Sequence, residues 1–187
     1  MDGTLSPDRT ARHKFTVDDV LRMIDAGIID EKARVELRGG ELIDMAAEGA
    51  RHSNVKSDLI VAIAGSIKGR YRMGADTPLR LADDEWPEPD LFLTPLSIRP
   101  AEARGPDTLL VVEVADTSLA ADLGENAALY ARFGVREYWV VDLVNSLVHV
   151  HKQSGEGAFG PARIVKSDEV VSPSLVDCVA VRLADVL

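Results

Sequence analysis

The sequence is poor in cysteine, in basic charge and in long apolar runs, and each shortage excludes a class of protein. Its single cysteine, Cys178, rules out an intrachain disulfide and a zinc site built from cysteines. Lysine and arginine number 21 against 31 aspartates and glutamates, and this net charge of −10 disfavours a protein that coats nucleic acid, although a local basic groove stays compatible. No apolar run approaches the ~18 residues of a membrane span, and the N-terminus has no apolar signal core. We therefore expect no membrane association and a cytoplasmic location.

What the sequence does contain is an alternation of helical and extended patterns, in a chain long enough for one domain. We expect residues 1–14 to form a flexible N-terminus and residues 15–187 to fold as a single domain. Helices are predicted over 16–27, 51–71 and 118–134, and strands over 77–83, 89–94, 108–115, 137–143 and 146–152, with a hairpin turn at Gly39-Gly40 and a loop over 153–161. The run "TLLVVEVA" has no polar alternation, which indicates a strand buried on both faces. The pattern predicts the α/β class, with a central mixed sheet flanked by helices.

Two carboxylates occupy places where a carboxylate is costly. Glu113 interrupts the apolar strand, where an ionised group needs a charged partner or a metal. Asp90 follows Pro89, whose fixed φ favours extended backbone, and it opens the apolar run "LFLT". Taken singly, Glu113 could reach solvent or an arginine, and Asp90 could be a turn residue. Taken together they predict a cation site, and two carboxylates with free coordination positions suit Mg²⁺.

Further polar side chains are predicted to face the interior. In the hairpin, Glu36 and Glu41 lie on one face, either as part of a site or as a solvated ion cluster. His52 and Lys56 fall within the apolar arc of the long helix, where a histidine is often a satisfied core residue and a lysine often snorkels to the surface. Asn126 shares the inward arc of the later helix.

These features occur together in an order that resembles a known family. The stretches "ELRGGEL", "ARHSNV" with its histidine, "EPDLFL", "VVEVADTS" and "DLGENAALYARFGVREYWVVD" are similar to the Uma-two family of endonucleases, within the PD-(D/E)XK superfamily, from about Phe15 to Asp142. The resemblance implies a restriction-endonuclease-like fold and metal-assisted phosphodiester hydrolysis, with nucleic acid as partner. It implies that Asp90 and Glu113 bind Mg²⁺ or Mn²⁺, and that Glu41 or Glu36 is a further member of the site.

The sequence departs from the family pattern at the catalytic lysine. The superfamily's usual slot, two residues after the glutamate, holds Ala115, and the helix position at which the family carries lysine holds Asn126. Loss of one preorganised stabilising group costs roughly 10²–10³ in rate. Lys56 is the candidate substitute, because it faces inward.

Three functions therefore stay open at the level of sequence. The first is a metal-dependent endonuclease, with activity reduced by the missing lysine. The second is a non-catalytic binding or oligomerisation module on the same fold, and the third is a small-nucleotide phosphoester hydrolase, which fits the acidic total. The candidate cluster for contact with a nucleic-acid backbone comprises Lys68, Arg70, Arg72 and Arg80, which could equally be cations at a helix C-terminus. Assembly into a homo-oligomer is also left open.

Overall fold

The computed structural model describes residues 12–155 and 157–187, so the predicted flexible N-terminus falls mostly outside the described residues. In chain order the helices and strands are α1 (Val17–Asp25), β1 (Val35–Arg38), β2 (Glu41–Asp44), α2 (Ala50–Ile67), β3 (Tyr71–Ala75), β4 (Leu91–Pro95), β5 (Leu110–Ala115), α3 (Leu119–Ala121), α4 (Ala127–Arg132), β6 (Glu137–Asp142), β7 (Leu147–Gly155), β8 (Ala158–Phe159), β9 (Arg163–Lys166), β10 (Val170–Val171) and β11 (Val181–Arg182). A π-helical turn, Asp122–Asn126, joins α3 to α4. Within the described part of the chain, no helix is long and apolar enough to cross a membrane.

The central sheet is mixed, as the sequence predicts. Its strand order is β3-β4-β5-β6-β7-β8, and β9 also pairs with β7. Strands β5 and β6 are parallel, and the other neighbours are antiparallel. A parallel pair requires a crossover connection, which here is the helical segment running from α3 through α4. The hairpin of β1 and β2 forms a separate two-stranded sheet.

Helices cover both faces of the sheet, because the strand side chains alternate in direction. On one face, Leu91, Leu93 and Val112 pack with the apolar stripe of α2, whose members are Val55, Leu59, Ile63 and Ile67. On the other face, Phe92 and Tyr138 pack with α4. Strand β6 is buried at all its positions, as expected for a strand between two layers.

Two segments differ from the sequence prediction. No strand forms over 77–83; instead α2 ends at Ile67 and β3 begins at Tyr71, after Gly69 with its positive φ of 73°. Leu79 and Leu81 bury their side chains without joining the sheet, and their N–H groups donate to Pro87 and Glu85 in a local loop. The predicted loop over 153–161 is also partly wrong, because β7 continues to Gly155 and β8 pairs with it.

We expect Thr16→Ala to destabilise the fold by about 1 kcal/mol through loss of the α1 cap. Thr16 Oγ1 accepts a hydrogen bond from Asp19 N at 3.2 Å, and Asp19 Oδ2 accepts one from Thr16 N at 2.9 Å. The helix then buries Val17 and Val20 against Leu37. Urea unfolding measures the effect. The Thr16→Ser control keeps the capping oxygen and should remain within a few tenths of a kcal/mol of wild type; equal losses in both variants would contradict the capping argument.

Candidate active site

A cavity of about 500 Å³ opens at one end of the central sheet. The hairpin, the N-terminus of α2, the segment before β4 and the π-helical turn enclose it. Its polar lining consists of Arg34, Glu36, Glu48, His52, Glu88, Asp90, Glu113, Asp116, Thr117, Ser118, Asp122 and Asn126. Seven of these are carboxylic acids, so the empty cavity is strongly acidic.

Asp90 and Glu113 face each other across adjacent strands at this end of the sheet. The β4–β5 register pairs Leu91 with Val112, so the residue before β4 stands opposite Glu113. Asp90 N donates to Glu113 Oε2 at 3.1 Å, and Val114 N donates to Asp90 Oδ2 at 2.7 Å. These backbone hydrogen bonds fix both carboxylates beside the cavity. Their joint coordination of a metal stays a prediction.

A group of possible metal ligands is centred on Asp90 and does not include Glu113. Ligand atoms of Glu48, His52 and Asp90 lie within 4.8 Å of one another. His52 Nε2 is 3.1 Å from Asp90 Oδ2. His52 Nδ1 lies 3.3 Å from Glu48 Oε2, but this buried nitrogen has no hydrogen-bond partner among the described residues. Two carboxylates and an imidazole with an unsatisfied ring nitrogen are a ligand set that fits a divalent cation.

Lys56 is buried behind these carboxylates. Its Nζ lies 2.6 Å from Glu48 Oε2, 2.7 Å from Asp76 Oδ1 and 3.6 Å from Asp90 Oδ1. Burial lowers the pKa of Lys56, but the hydrogen bonds to Asp76 and Glu48 outweigh burial, and the pKa is raised overall. Lys56 does not line the cavity. The ammonium therefore holds the acidic residues together from behind.

We expect Lys56→Met to destabilise the protein by roughly 3 kcal/mol at pH 7. Removing one partner of a buried ion pair costs ~3–5 kcal/mol, and we take the low end because Asp76 is half exposed.

Lys56 also controls the pKa of Glu48. Burial raises the pKa of Glu48, but the hydrogen bond and charge of Lys56 bring it down to about 2.

The pH dependence of this loss provides its check. A carboxyl whose pKa is depressed contributes stability above its ordinary value of 4.5, and this contribution disappears as the pH falls towards 2. The difference between wild type and Lys56→Met in urea unfolding should thus shrink as the pH falls from about 4.5 towards about 2. The exposed Lys68→Met variant is the control. A loss independent of pH would show that Lys56 acts by apolar packing alone.

The predicted inward position of Asn126 agrees with the geometry. Asp122 and Asn126 belong to the π-helical turn, a feature that often marks functional sites. Asn126 Nδ2 donates to Asp122 Oδ1 at 2.9 Å, and Arg38 Nη2 donates to Asn126 Oδ1 at 2.7 Å. Arg38 Nη1 also donates to Glu36 Oε2 at 3.2 Å. The Arg38 guanidinium therefore does not line the cavity itself but is hydrogen-bonded to the Asn126 amide, which does.

Of the two hairpin acids, the structure brings only Glu36 to the cavity. The predicted register is confirmed, since Arg38 pairs with Glu41 and Glu36 pairs with Ile43. Glu36 Oε1 accepts a hydrogen bond from Glu88 N at 2.7 Å. Glu41 lies next to the turn and pairs with Lys14 at 2.8 Å on the protein surface. The N-terminal segment packs against the turn there, because Phe15 N donates to Gly40 O, so Glu41 is drawn away from the site.

Glu113 is held by a buried tyrosine. Tyr130 Oη donates to Glu113 Oε1 at 2.8 Å. Burial, followed by the charges of Asp90 and Asp122, raises the pKa of Glu113 well above its usual range. The predicted alternative for Glu113, an arginine partner at the strand end, is not seen among residues 12–155 and 157–187.

The predicted basic cluster lies away from the cavity. His52 is near the start of α2 and Lys68 follows its end, roughly 24 Å apart along the helix axis. Arg70 pairs with Asp177, and Arg80 pairs with both Asp18 and Asp83. This cluster is consequently a poor candidate for substrate contact at the site.

Sequence reasoning missed Glu48 and Arg34. Arg34 opens the predicted hairpin, and Glu48 lies in "AAEGA", which has no helical or strand periodicity. Arg34 Nη1 lies 2.8 Å from Glu48 Oε1, and Arg34 Nη2 lies 3.1 Å from Glu88 Oε1. The one available signal was the spacing of Glu48 and His52, four residues apart at the start of α2.

Comparison with known proteins supports a nuclease fold. No curated protein matches the chain. A crystal structure from Anabaena variabilis ATCC 29413, described as "a putative nuclease belonging to DUF820", superposes with a TM-score of 0.72 at 16% identity, over 92% of this chain and 97% of that one. This likeness confirms the predicted restriction-endonuclease-like fold. The profile of the Uma2 family, described as "Putative restriction endonuclease", matches residues 17–181. The chain therefore belongs to the Uma2 family, as its sequence motifs predict.

Proposed function

We propose that this protein is a metal-dependent nuclease that hydrolyses phosphodiester bonds in nucleic acid. The observation that carries the proposal is the convergence of Asp90, Glu113, Glu48 and His52 on one cavity at the end of the mixed sheet. Membership of the Uma2 family supports the same reaction class. Phosphodiester hydrolysis needs a water activated near neutral pH and positive charge on the phosphate oxygens.

Glu48, His52 and Asp90 are the residues that would hold the cation, with Glu113 beside them. Bound there, a divalent cation would lower the pKa of a water and stabilise charge on a phosphate oxygen. The backbone N–H of Val114 and the His52 ring fix Asp90 Oδ2, so the carboxylate is oriented in advance. This preorganisation avoids reorientation during the reaction.

The acidic lining makes substrate binding depend on cations. Seven carboxylic acids surround the cavity, against one guanidinium and one imidazole. A phosphodiester would be repelled by this field unless bound cations offset it. We therefore expect nucleic acid to bind at this cavity only in the presence of Mg²⁺ or Mn²⁺.

Asn126 and Arg38 supply the polar groups opposite the carboxylates. Asn126 lines the cavity and can orient a water or a phosphate oxygen through its remaining amide proton. Arg38 holds the Asn126 side chain at 2.7 Å and brings positive charge to the edge of the site. The pair would partly replace the lysine that the family carries at position 126.

A binding module on the same fold is the second candidate. No lysine is among the described residues that line the cavity, and Lys56 is enclosed by acids. An amide cannot add the positive charge that phosphoryl transfer requires. On this reading the protein binds a divalent cation and nucleic acid but cleaves slowly or not at all.

Metal titration and cleavage assays test the two candidates together. Calorimetry measures Mn²⁺ and Mg²⁺ binding, and crystals soaked in Mn²⁺ show whether the ion lies between Glu48, His52 and Asp90 or between Asp90 and Glu113. Cleavage is followed on plasmid DNA, single-stranded DNA, RNA and a mononucleotide phosphoester. Metal-dependent strand cleavage supports the nuclease, metal and strand binding without cleavage supports the module, and cleavage of the mononucleotide alone supports the small-nucleotide hydrolase. Absence of metal binding would overturn the site assignment.

A further inference from the structure

A second cavity, of about 700 Å³, lies at the far end of α4 from Asn126. Residues that line it include Leu81, Pro106, Arg132, Phe133, Arg136 and Gln153. Its volume falls within the ~300–1,000 Å³ typical of small-molecule sites. It combines apolar walls with two arginines, unlike the acidic cavity of the candidate active site.

The two arginines make this cavity suitable for an anion. Arg136 is exposed, and its side chain has no carboxylate partner among residues 12–155 and 157–187. The side chain of Arg132 is 60% exposed and pairs with the buried Glu85 at 2.9 Å. Two guanidinium groups beside one cavity are well suited to a phosphate group, which arginine recognises through paired N–H donors.

The other walls are suitable for a nucleobase. The Arg132 guanidinium lies over the Phe133 ring, with its Cζ 4.5 Å from the ring centroid, so the two groups already pack against each other. Nucleobases stack on aromatic rings and guanidinium planes. Gln153 Nε2 donates to Gly155 O at 2.7 Å, which holds this side chain in the wall of the cavity.

Basic and polar groups connect the second cavity to the candidate active site. Arg132 is six residues after Asn126, about 9 Å along the helix axis. Between them, Arg38 and Arg132 line one shallow depression with Glu125 and Leu129. Glu85 lies between the two arginines, since Arg38 Nε is 3.9 Å from Glu85 Oε2. A strand could follow this surface from one cavity to the other.

We propose that the second cavity holds an unpaired nucleotide that flanks the phosphodiester in the active site. Arg136 and Arg132 contact the phosphate of that nucleotide, and its base stacks on the pair formed by Arg132 and Phe133. A base within a duplex is unavailable for such stacking, because it is paired and stacked inside the helix and would first have to be extruded. The substrate class is therefore single-stranded or locally unpaired nucleic acid. This inference rests on the proposed nuclease function.

Binding of single strands to Arg136→Ala tests the inference. A fluorescent oligonucleotide with phosphorothioate linkages and its duplex form are titrated with the full chain in Mg²⁺, over a series of salt concentrations. We expect wild type to prefer the single strand. Arg136→Ala should weaken single-strand binding about tenfold, which corresponds to ~1.4 kcal/mol, and should reduce the slope of log K against log salt by about 0.7 for one lost phosphate contact.

Matched controls separate this contact from net charge and from folding. Lys68→Ala removes one positive charge at the far end of α2 and should bind as wild type does. Arg136→Lys keeps the charge and should recover part of the affinity. Arg132 is not the test residue, because its removal would leave the buried Glu85 without its closest cation.

The outcomes distinguish this inference from the proposed function. If wild type cleaves nucleic acid but Arg136→Ala and Lys68→Ala bind the single strand alike, the cavity inference is wrong and the nuclease proposal stands. Equal affinity for duplex and single strand, unchanged in Arg136→Ala, also overturns the inference. If wild type neither binds nor cleaves any nucleic acid in Mg²⁺ or Mn²⁺, both proposals fail. A tenfold loss in Arg136→Ala that Arg136→Lys partly recovers, with wild-type binding in Lys68→Ala, supports the flanking-nucleotide site.

Discussion

Asp90→Asn is expected to remove divalent-cation binding and to lower metal-dependent cleavage by roughly 10²–10³-fold or more. Asp90 is the one residue common to both ligand sets, the pair predicted with Glu113 and the group with Glu48 and His52. Asparagine keeps an oxygen that can accept the Val114 N–H at the same place, so the backbone geometry should survive. Asp90→Asn therefore tests the effect of removing the carboxylate charge of Asp90 on cation binding and cleavage.

Calorimetry with Mn²⁺ and single-turnover cleavage measure the two effects of Asp90→Asn separately. Asp83→Asn is the matched control, because Asp83 is an exposed aspartate that pairs with Arg80 and is not among the residues that line the cavity. Thermal unfolding verifies that both variants fold. If Asp90→Asn binds Mn²⁺ with wild-type affinity, the cation lies elsewhere and the candidate active site is wrong.

Asn126→Lys is expected to raise metal-dependent cleavage, by up to about 10²-fold, because it places an ammonium where the sequence resemblance predicts a lysine in the family. Asp122 Oδ1, now 2.9 Å from the Asn126 amide, is positioned to orient the new side chain. Arg38 works against the gain, since its guanidinium stands 2.7 Å from Asn126 Oδ1 and would repel a lysine. Adding Glu113→Ala should abolish the gain if the new charge acts through the same site.

Three comparisons decide which cation supports the reaction. If Arg38 already supplies charge through Asn126, Arg38→Ala should lower wild-type cleavage and have less effect in the Asn126→Lys background. If Lys56 supplies it, wild type should be active and Lys56→Ala should inactivate it beyond what its loss of stability explains. Full wild-type activity that none of these substitutions changes would show that the missing lysine is wrongly assigned. Inert wild type and Asn126→Lys, both with bound metal, would favour the binding module.

The residues of the candidate site that could be predicted from sequence are the polar residues that interrupt a regular apolar pattern. Glu113 is conspicuous because every neighbour in "LLVVEVA" is apolar, and Asp90 because it opens an apolar strand after a proline. The hairpin register followed from the Gly39-Gly40 turn, because a two-residue turn determines which residues pair. Asn126 could be placed inward from helical periodicity alone.

The placement of isolated residues was less predictable. The sequence placed Glu36 and Glu41 on one face of the hairpin, but it could not indicate that Lys14 would pair with Glu41 and leave Glu36 at the cavity. The strand expected over 77–83 failed for a similar reason. Leu79 and Leu81 are buried by a loop that folds back on Pro87 and Glu85, and local alternation does not distinguish that burial from a strand.

The sequence by itself determined the layered mixed sheet, the family and the acidic character of the site. Those properties follow from local periodicity and from residue types at fixed spacing, both of which are read along one chain segment at a time. Only the tertiary structure brought Glu48 and His52 to Asp90, enclosed Lys56 among three carboxylates and set Arg38 behind Asn126. Asp90 is 38 residues away in sequence from His52, and Arg38 is 88 residues away from Asn126. Ionic contacts of this range depend on how elements pack, because a side chain's partner is set by the three-dimensional approach of backbones and not by its own neighbours in sequence.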